Sequence, residues 1–269
     1  MIVVRYSSIL DIFVSFLQSQ NIEVFRPEKN NPKYYNYCPR DSVLVHGNMN
    51  IATPMPIESR KNEWVSFEKH LENIISLECS YDEKLYNLNC LNNKDVLALT
   101  EYSPAFDAAN IIRANEFVLY LVSNTGNKKG AILLQELLGD KVKIKILQGV
   151  YSYIHIDSTV AFLKEGLMLL NPERIKDKSI LPKPFCNWDA IWCPDPVDIG
   201  YYKNYNNASK WINMNLFSVS ENLVALEEHQ HNLRKELEKY KIQCAMLPMR
   251  HQRTLGGGFH CVTLDLERE

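Results

Sequence analysis

The sequence lacks a surplus of charge of either sign, since 30 lysine and arginine side chains are matched by 32 aspartates and glutamates. Without a concentrated basic stripe the chain has little electrostatic attraction for nucleic acid, and we predict no nucleic-acid partner. Charges interrupt every apolar run well short of the about 18 residues that a membrane span requires, so we predict no membrane partner. The N-terminal stretch, with Arg5 and Asp11 inside it, has no signal-peptide pattern.

Three further absences bear on cofactors, compartment and domains. The chain has no dinucleotide-binding or phosphate-binding glycine signature, and no cofactor is predicted. Its seven cysteines are an odd number without the paired spacings of a metal site, which predicts reduced thiols, no metal centre and a cytoplasmic location. No linker rich in proline, glycine or serine divides the sequence, so residues 1–269 are expected to form one domain.

Glycine is scarce, yet three of the ten glycines are consecutive and lead through a phenylalanine and a histidine to Cys261. Each glycine costs about 0.5–1 kcal/mol inside regular structure, so this backbone is expected to need a turn or a close approach. A cysteine just beyond such a turn is a candidate nucleophile. The alternative, which we also apply to the other six cysteines, is that a free thiol packs as a small apolar side chain.

A thiol is a weak nucleophile unless a base or a positive charge favours the thiolate. The alternation of polar and apolar residues over 153–157 predicts a strand with Tyr153, His155 and Asp157 on one face, which makes His155 the candidate base. A structural strand histidine beside a solvated aspartate is the alternative. Asp107 is the candidate carboxylate that orients the imidazole, and a turn or cap residue is the alternative for it.

Six motifs, taken in chain order, resemble those of the amidinotransferases, the family of arginine:glycine amidinotransferase. They are Cys38-Pro39-Arg40-Asp41, Phe106-Asp107-Ala108-Ala109, His155-Ile156-Asp157, Asn171-Pro172-Glu173-Arg174, Ser209-Lys210-Trp211 and Gly256-Gly257-Gly258-Phe259-His260-Cys261. The resemblance implies an α/β fold, the five-bladed propeller called the pentein fold, in which ββαβ-like units surround a polar channel. Compared with the family pattern, the first blade is expected to be truncated, and either a homodimer contact or a rearranged first blade is expected to compensate for it.

The resemblance also implies roles for the residues of the reaction centre. Cys261 corresponds to the nucleophile, His155 to the general acid and base, and Asp107 to the carboxylate that orients it. Asp41 and Asp157 correspond to the carboxylates that hold the guanidinium group of the donor. Two carboxylates suit this task, because a guanidinium is a planar cation that accepts paired charge-assisted hydrogen bonds.

The remaining expected site residues concern the two ends of the substrates. Arg174 corresponds to the arginine that binds the carboxylate of the donor, and Ser209 to one of two serines that fix its amino-acid end. Ala208 stands in place of the other serine. Ser152 and Ile154 occupy the acceptor side, where glycine-using relatives have asparagine and methionine, so an acceptor other than glycine is predicted.

The implied reaction transfers the amidino group of L-arginine to an amine or amino acid through an amidino-cysteine, with ornithine as the first product and ping-pong kinetics. An arginine deiminase-like hydrolase, in which water resolves the intermediate, is the first alternative. The Ser209-Lys210-Trp211 motif favours the transferase. A non-catalytic propeller that serves as a binding or scaffold subunit is the second alternative.

Hydrophobic periodicity predicts alternating helices and strands along the whole chain. Helices are expected over residues 10–20, 64–77, 127–138 and 227–241. Strands are expected over residues 22–25, 42–46, 117–123 and 142–147, and in segments of 160–170.

Overall fold

The recurring element of the protein is a three-stranded sheet in which an antiparallel hairpin is extended by a third, parallel strand. A computed structural model describes residues 2–27, 35, 37–91 and 93–268, without the side chains of residues 2–7. Four such sheets follow one another along these residues. The first contains β1 (Val43–His46), β2 (Met49–Ala52) and β3 (Ile74–Ser76), and the second β4 (Ile111–Ala114), β5 (Phe117–Leu121) and β6 (Lys143–Leu147). The third contains β7 (Val160–Lys164), β8 (Leu167–Leu170) and β9 (Asp189–Trp192), and the fourth β10 (Phe217–Ser220), β11 (Leu223–Glu227) and β12 (Gln243–Leu247).

The second and third strands of each sheet run parallel, so a crossover segment connects them. The helices of the chain are α1 (Ile2–Ser19), α2 (Pro39–Ser42), α3 (Lys128–Leu138), α4 (His231–Lys239) and α5 (Gln252–Leu255). The crossover is α3 in the second sheet and α4 in the fourth, and in the other two it contains 3₁₀ turns. The α3 helix begins at Asn127, whose side chain accepts from the Gly130 N–H, and ends at Gly139 with a φ of 68°.

Neighbouring sheets pack against each other through fully buried side chains. The three clusters between successive sheets contain Ile51 with Tyr120, Leu121 with Leu170, and Leu169 with Leu226. Helix α1 covers the fourth sheet, where the ring of Phe13 lies 6.1 Å from that of Phe217 and 4.8 Å from that of Phe259. Each buried aliphatic or aromatic side chain of this kind contributes about 1.5–3 kcal/mol, so the four units stabilise one another.

Two predicted strands and one predicted helix are wrong. Residues 153–157 form no strand: Ile156 N donates to Ala109 O at 3.1 Å, and Tyr153 is 49% exposed whereas His155 and Asp157 are 7% and 4% exposed. Residues 22–25 do not pair as a strand, and only Ile22 and Val24 among them pack on the α1 cluster. Residues 64–77 contain a 3₁₀ segment, Glu63–His70, and then β3, because Asn73 has a φ of 49°, which a helix cannot continue through.

The remaining predicted helices and strands are confirmed within a few residues of their predicted ends, with two exceptions: the α1 helix begins at Ile2 rather than at residue 10, and the α4 helix is shorter than the predicted 227–241. The polar residues of interest share one position in the repeat, immediately ahead of the first strand of a sheet. Asp41 precedes β1, Asp107 precedes β4, Asp157 precedes β7 and Asn215 precedes β10. The repeat thus brings one polar side chain from each unit towards a common place. No helix in the described part of the chain is long and apolar enough to cross a membrane.

Candidate active site

The segments ahead of the strands bring His155 into contact with two carboxylates. Its Nε2 lies 2.9 Å from Oδ2 of Asp107, and its Nδ1 lies 3.7 Å from Oδ1 of Asp41. The Cys261 thiol donates to Oδ2 of Asp157 at 3.1 Å, and its Sγ lies within 4.8 Å of an Asp41 carboxylate oxygen. Asp41 therefore connects the imidazole with the thiol, and the five residues proposed from the sequence meet in one buried cluster.

Asn215 holds Cys261 in place from the fourth unit. Its Nδ2 donates to the Cys261 Sγ at 3.0 Å, while its Oδ1 accepts from the backbone N–H groups of Cys261 at 2.9 Å and Gly258 at 3.1 Å. A donor aimed at sulfur favours the thiolate over the thiol. Sequence reasoning missed Asn215, although its position ahead of β10, equivalent to that of Asp41 ahead of β1, is a signal that could have identified it.

The three glycines before Cys261 each have a structural reason. Gly256 has a φ of 78° and ends α5, a left-handed conformation that favours glycine. A Cβ on Gly257 would lie 2.7 Å from the Cys38 Sγ, and one on Gly258 would lie 2.8 Å from the Asn215 backbone oxygen. The predicted turn and close approach are both present, and they bring the thiol against its neighbours.

Arg60, which sequence reasoning also missed, is the cation among the carboxylates of the site. Its Nη2 lies 3.0 Å from Asp41 Oδ2, its Nη1 lies 3.9 Å from Asp107 Oδ2, and Glu63 accepts from its Nε at 2.8 Å and its Nη2 at 2.6 Å. One oxygen of Asp41 and one of Asp107, both called Oδ1, are buried without a hydrogen-bond partner among the described residues. The site thus holds acceptor oxygens that a bound cation would satisfy.

These charges set the protonation states of the site. Burial alone lowers the pKa of His155, but Asp41 and the hydrogen bond with Asp107 outweigh it and raise the pKa to about 9. Burial alone raises the pKa of Asp157, but His260, whose Nδ1 lies 3.2 Å away, and His155 lower it to about 2. The hydrogen bond with Cys38, burial and the Asp157 carboxylate together raise the pKa of Cys261. At neutral pH the ligand-free site therefore contains an imidazolium and a neutral thiol.

The raised pKa of His155 predicts a specific pH dependence of stability. A group whose pKa rises from 6.5 in the unfolded chain to about 9 in the folded one stabilises the fold fully below pH 6.5. This contribution, up to about 3 kcal/mol, is lost as the pH rises through 9. We expect chemical denaturation between pH 6 and 10 to show this loss in the free energy of unfolding of the wild type, and little of it in His155→Gln. An equal change of the free energy of unfolding with pH in the two proteins would contradict the assignment.

Replacing Asn215 by leucine is expected to lower kcat about 10²-fold, since the variant has no donor for the developing thiolate. The pH dependence of Cys261 alkylation should move to higher pH in the same variant. Asn213→Ala is the matched control, because its side chain is equally buried but donates to Lys210 O at 2.8 Å rather than to sulfur. If both variants shift the alkylation profile alike, Asn215 has only a structural role.

Of the other predicted residues, Arg174 and Ser152 contact each other. Nη1 of Arg174 donates to three hydroxyls, those of Ser152 at 3.0 Å, Ser158 at 2.8 Å and Thr159 at 2.6 Å. Ser152, which is buried, also donates to the His155 carbonyl at 2.8 Å, so it links Arg174 to the imidazole segment. Ile154 is half-buried beside it.

Ser209 lies further from the cluster and is exposed. Its hydroxyl accepts from the Trp211 N–H at 3.3 Å, and the Trp211 indole donates to Glu173 at 2.7 Å. Within the described residues no hydrogen bond joins Ser209 to Cys261 or Arg174. Among the residues that the structure describes, two groups of side chains could supply metal ligands, Cys38 with Asp41 and Cys261, and Glu227 with Glu228 and His229.

The chain is similar to several amidinotransferases. It is 36% identical over 253 residues to inosamine-phosphate amidinotransferase 1 of Streptomyces glaucescens. The aligned region covers 91% of this chain and 72% of that protein. It is 30% identical to the L-arginine:L-lysine amidinotransferase of Pseudomonas savastanoi pv. phaseolicola, with 96% of this chain and 77% of that protein covered. No protein-family model matches the chain.

Solved structures give the same result for the fold. The inosamine-phosphate amidinotransferase of Streptomyces griseus superposes with a TM-score of 0.91 at 33% identity, covering 98% of this chain and 80% of that one. A dimethylarginine dimethylaminohydrolase superposes with a TM-score of 0.68 at 16% identity, covering 96% and 90%, which is a likeness of fold alone. The predicted fold class, the α/β pentein fold with ββαβ-like units, is confirmed.

Proposed function

Because the chain belongs to the amidinotransferase family, we propose that it moves the amidino group of L-arginine to an amine acceptor through a covalent amidino-Cys261 intermediate. The observation that carries the proposal is the meeting of the Cys261 thiol, the His155 imidazole and the carboxylates of Asp41 and Asp157 in one buried cluster. Ornithine is the first product. The acceptor then takes the amidino group and leaves as a new guanidino compound.

The donor guanidinium is held by Asp41 and Asp157 in this proposal. Arg60 already engages Oδ2 of Asp41, so Oδ1, which is buried without a partner, is the oxygen available to the donor. Paired charge-assisted hydrogen bonds fix the plane of a guanidinium, and they place its central carbon beside the Cys261 sulfur. Arg174, whose Nη1 bonds to three hydroxyls, is the proposed partner of the donor carboxylate.

The donor itself activates the nucleophile. Neighbouring carboxylates contribute to the raised pKa of Cys261, and a bound guanidinium offsets their charge, so the thiol loses its proton to solvent when the donor arrives. The thiolate attacks the guanidinium carbon, and a C–S bond forms. His155, protonated at neutral pH, gives its Nδ1 or Nε2 proton to the ornithine nitrogen as the C–N bond breaks.

The second half of the reaction reverses these proton transfers. His155 is now neutral and takes a proton from the acceptor amine, which attacks the amidino carbon and releases the Cys261 sulfur. The proposed acceptor is an amine larger than glycine. The relatives named for inosamine phosphate and for lysine support this, and so do Ser152 and Ile154, which replace an amide and a thioether on the acceptor side.

The proposal also covers the whole chain and its assembly. Residues 1–269 form one domain, because the cluster draws side chains from units spread from Asp41 to Cys261. Ser209 fixes the amino-acid end of the donor from the N-cap position of the 3₁₀ segment ahead of β10. We also propose a homodimer in the cytoplasm, and light scattering of the purified protein tests the dimer.

The decisive assay incubates the purified protein with L-arginine and one amine at a time, with glycine, lysine, ornithine and an aminocyclitol phosphate in the panel. We expect ornithine, a guanidino product, and in the absence of acceptor a Cys261 peptide heavier by one amidino group. Citrulline in place of ornithine would identify an arginine deiminase-like hydrolase. Neither product, with a folded protein, would identify a non-catalytic subunit, and a preference for glycine would contradict the proposed acceptor.

A further inference from the structure

A second thiol lies beside Cys261 and has no part in the proposed reaction. Sγ of Cys38, a carboxylate oxygen of Asp41 and Sγ of Cys261 lie within 4.8 Å of one another. The three residues are 2%, 4% and 1% exposed. Asp41 Oδ1 is also one of the few buried side-chain oxygens without a hydrogen-bond partner in the described part of the chain. The proposed reaction uses Asp41 and one thiol, so the second sulfur at this position calls for another explanation.

We propose that Cys38, Asp41 and Cys261 form a binding site for a thiophilic divalent cation, for which Zn²⁺ is the best chemical match. Zinc takes thiolate sulfur at about 2.3 Å and carboxylate oxygen at about 2.0–2.2 Å in a tetrahedron. Two sulfurs at the corners of that tetrahedron lie about 3.8 Å apart. The ligand atoms lie within 4.8 Å of one another, so the distances between them have to shorten by no more than about 1 Å when the ion binds. Water occupies the fourth position.

The backbone holds the three ligands close together. Cys38 and Asp41 belong to one tight turn at the start of α2, in which Asp41 N donates to Cys38 O at 3.0 Å. The third ligand arrives on the glycine run. A Cβ at Gly257 would lie 2.7 Å from the Cys38 Sγ and 3.1 Å from the Cys261 Cβ, so the missing side chain is what lets the two cysteines approach.

Binding the ion exchanges protons for metal. Zinc binds the thiolate form of cysteine, so the ion displaces the thiol protons of Cys38 and Cys261 and binds more tightly as the pH rises. The Arg60 guanidinium and the His155 imidazolium oppose the ion, whereas the carboxylates of Asp157 and Asp107 attract it. In the proposed reaction Asp41 binds the donor guanidinium and Cys261 is the nucleophile. The ion and arginine therefore exclude each other. The cation is a reversible inhibitor.

A titration of the reduced protein with Co²⁺, without substrate, tests the site directly. We expect a sulfur-to-cobalt charge-transfer band, which Zn²⁺ removes by displacing Co²⁺. Cys38→Ser and Cys261→Ser should each keep about half of the band and bind at least about tenfold more weakly. Cys193→Ser is the matched control, since Cys193 is buried and its thiol donates to Pro194 O, and it should behave as the wild type. Absence of the band in the wild type, or an unchanged band in Cys38→Ser, would overturn the proposal.

A second measurement needs no variant. Alkylation of the wild type with iodoacetamide, followed by mass mapping, should show that Zn²⁺ protects Cys38 and Cys261 but not the partly exposed Cys90. Equal alkylation of all three with and without Zn²⁺ would contradict the site. Neither readout involves turnover, so failure here leaves amidino transfer to its own assay, and an inactive protein that still binds Co²⁺ would leave the metal site standing.

Discussion

Cys261→Ser is expected to lower the rate of amidino transfer by at least about 10⁴-fold, because a hydroxyl at this position is far less acidic and less nucleophilic than a thiol. The substitution is nearly isosteric, so the two hydrogen bonds between residue 261 and Asn215 and the contact with Asp157 can persist. The thermal midpoint should therefore change little. The measurement is ornithine release under saturating arginine, together with mass analysis for the amidino adduct, which the variant should not form.

Cys193→Ser is the control for the loss of a buried thiol outside the cluster, and it should retain the wild-type rate. If Cys261→Ser kept more than a few per cent of the wild-type activity, the covalent intermediate would have to be abandoned. Activity lost together with the thermal midpoint would instead indicate damage to the fold, which the midpoint measurement distinguishes.

Arg60→Met is expected to destabilise the protein by about 3–5 kcal/mol, since it leaves buried carboxylates without their cation. Arg60 is the partner of Asp41 and Glu63, whose side chains are 5% and 2% exposed. Burial already raises the pKa of both carboxyl groups, and loss of the guanidinium raises it further. Chemical denaturation at pH 7 measures the change. Arg234→Met, which removes the exposed Arg234–Glu238 pair, is the control, with an expected effect below about 0.5 kcal/mol.

The double variant Arg60→Met/Glu63→Gln separates stability from activity. A neutral glutamine removes one of the uncompensated charges, so part of the lost stability should return. Asp41 still lacks its cation and is more easily protonated, so the KM for arginine should stay high at neutral pH and fall as the pH rises. A double variant with wild-type KM and pH profile would show that Arg60 acts on the fold alone.

The α/β repeat and the meeting of five site residues could be predicted from the sequence. The motifs resemble those of the amidinotransferases in a fixed order, and this resemblance assigns each segment a place in the family fold. The strand predicted over 153–157 shows the limit of local patterns. Ile156 is buried as the alternation requires, but its N–H donates to Ala109 O in a loop rather than to a neighbouring strand. An alternating sequence does not by itself supply a pairing partner, and His155, Ile156 and Asp157 are all buried rather than alternately buried and exposed.

Arg60 shows a second limit. It lies in the charged stretch 58–63, a composition typical of exposed surface, and its pairing with Glu63 is a local i,i+3 contact. Its contacts with Asp41 and Asp107 depend on how the loop after β2 folds back over the site, which no local pattern encodes. Asn215 was easier to predict than Arg60, because a comparison of the four units would have shown that it occupies the same position ahead of a first strand as Asp41.

Hydrogen bonds join residues 255–260, just before the nucleophile Cys261, to residues 35, 37 and 40 ahead of β1. Tyr35 donates to the Leu255 carbonyl, Tyr37 to that of Gly257 at 2.8 Å, and Arg40 to that of His260 at 2.8 Å. These hydrogen bonds join the segment that carries Asp41 to the segment that carries Cys261. Local opening of this contact would separate the Cys261 sulfur from the Asp41 carboxylate without unfolding the four sheets, so we expect activity to be lost before the core unfolds.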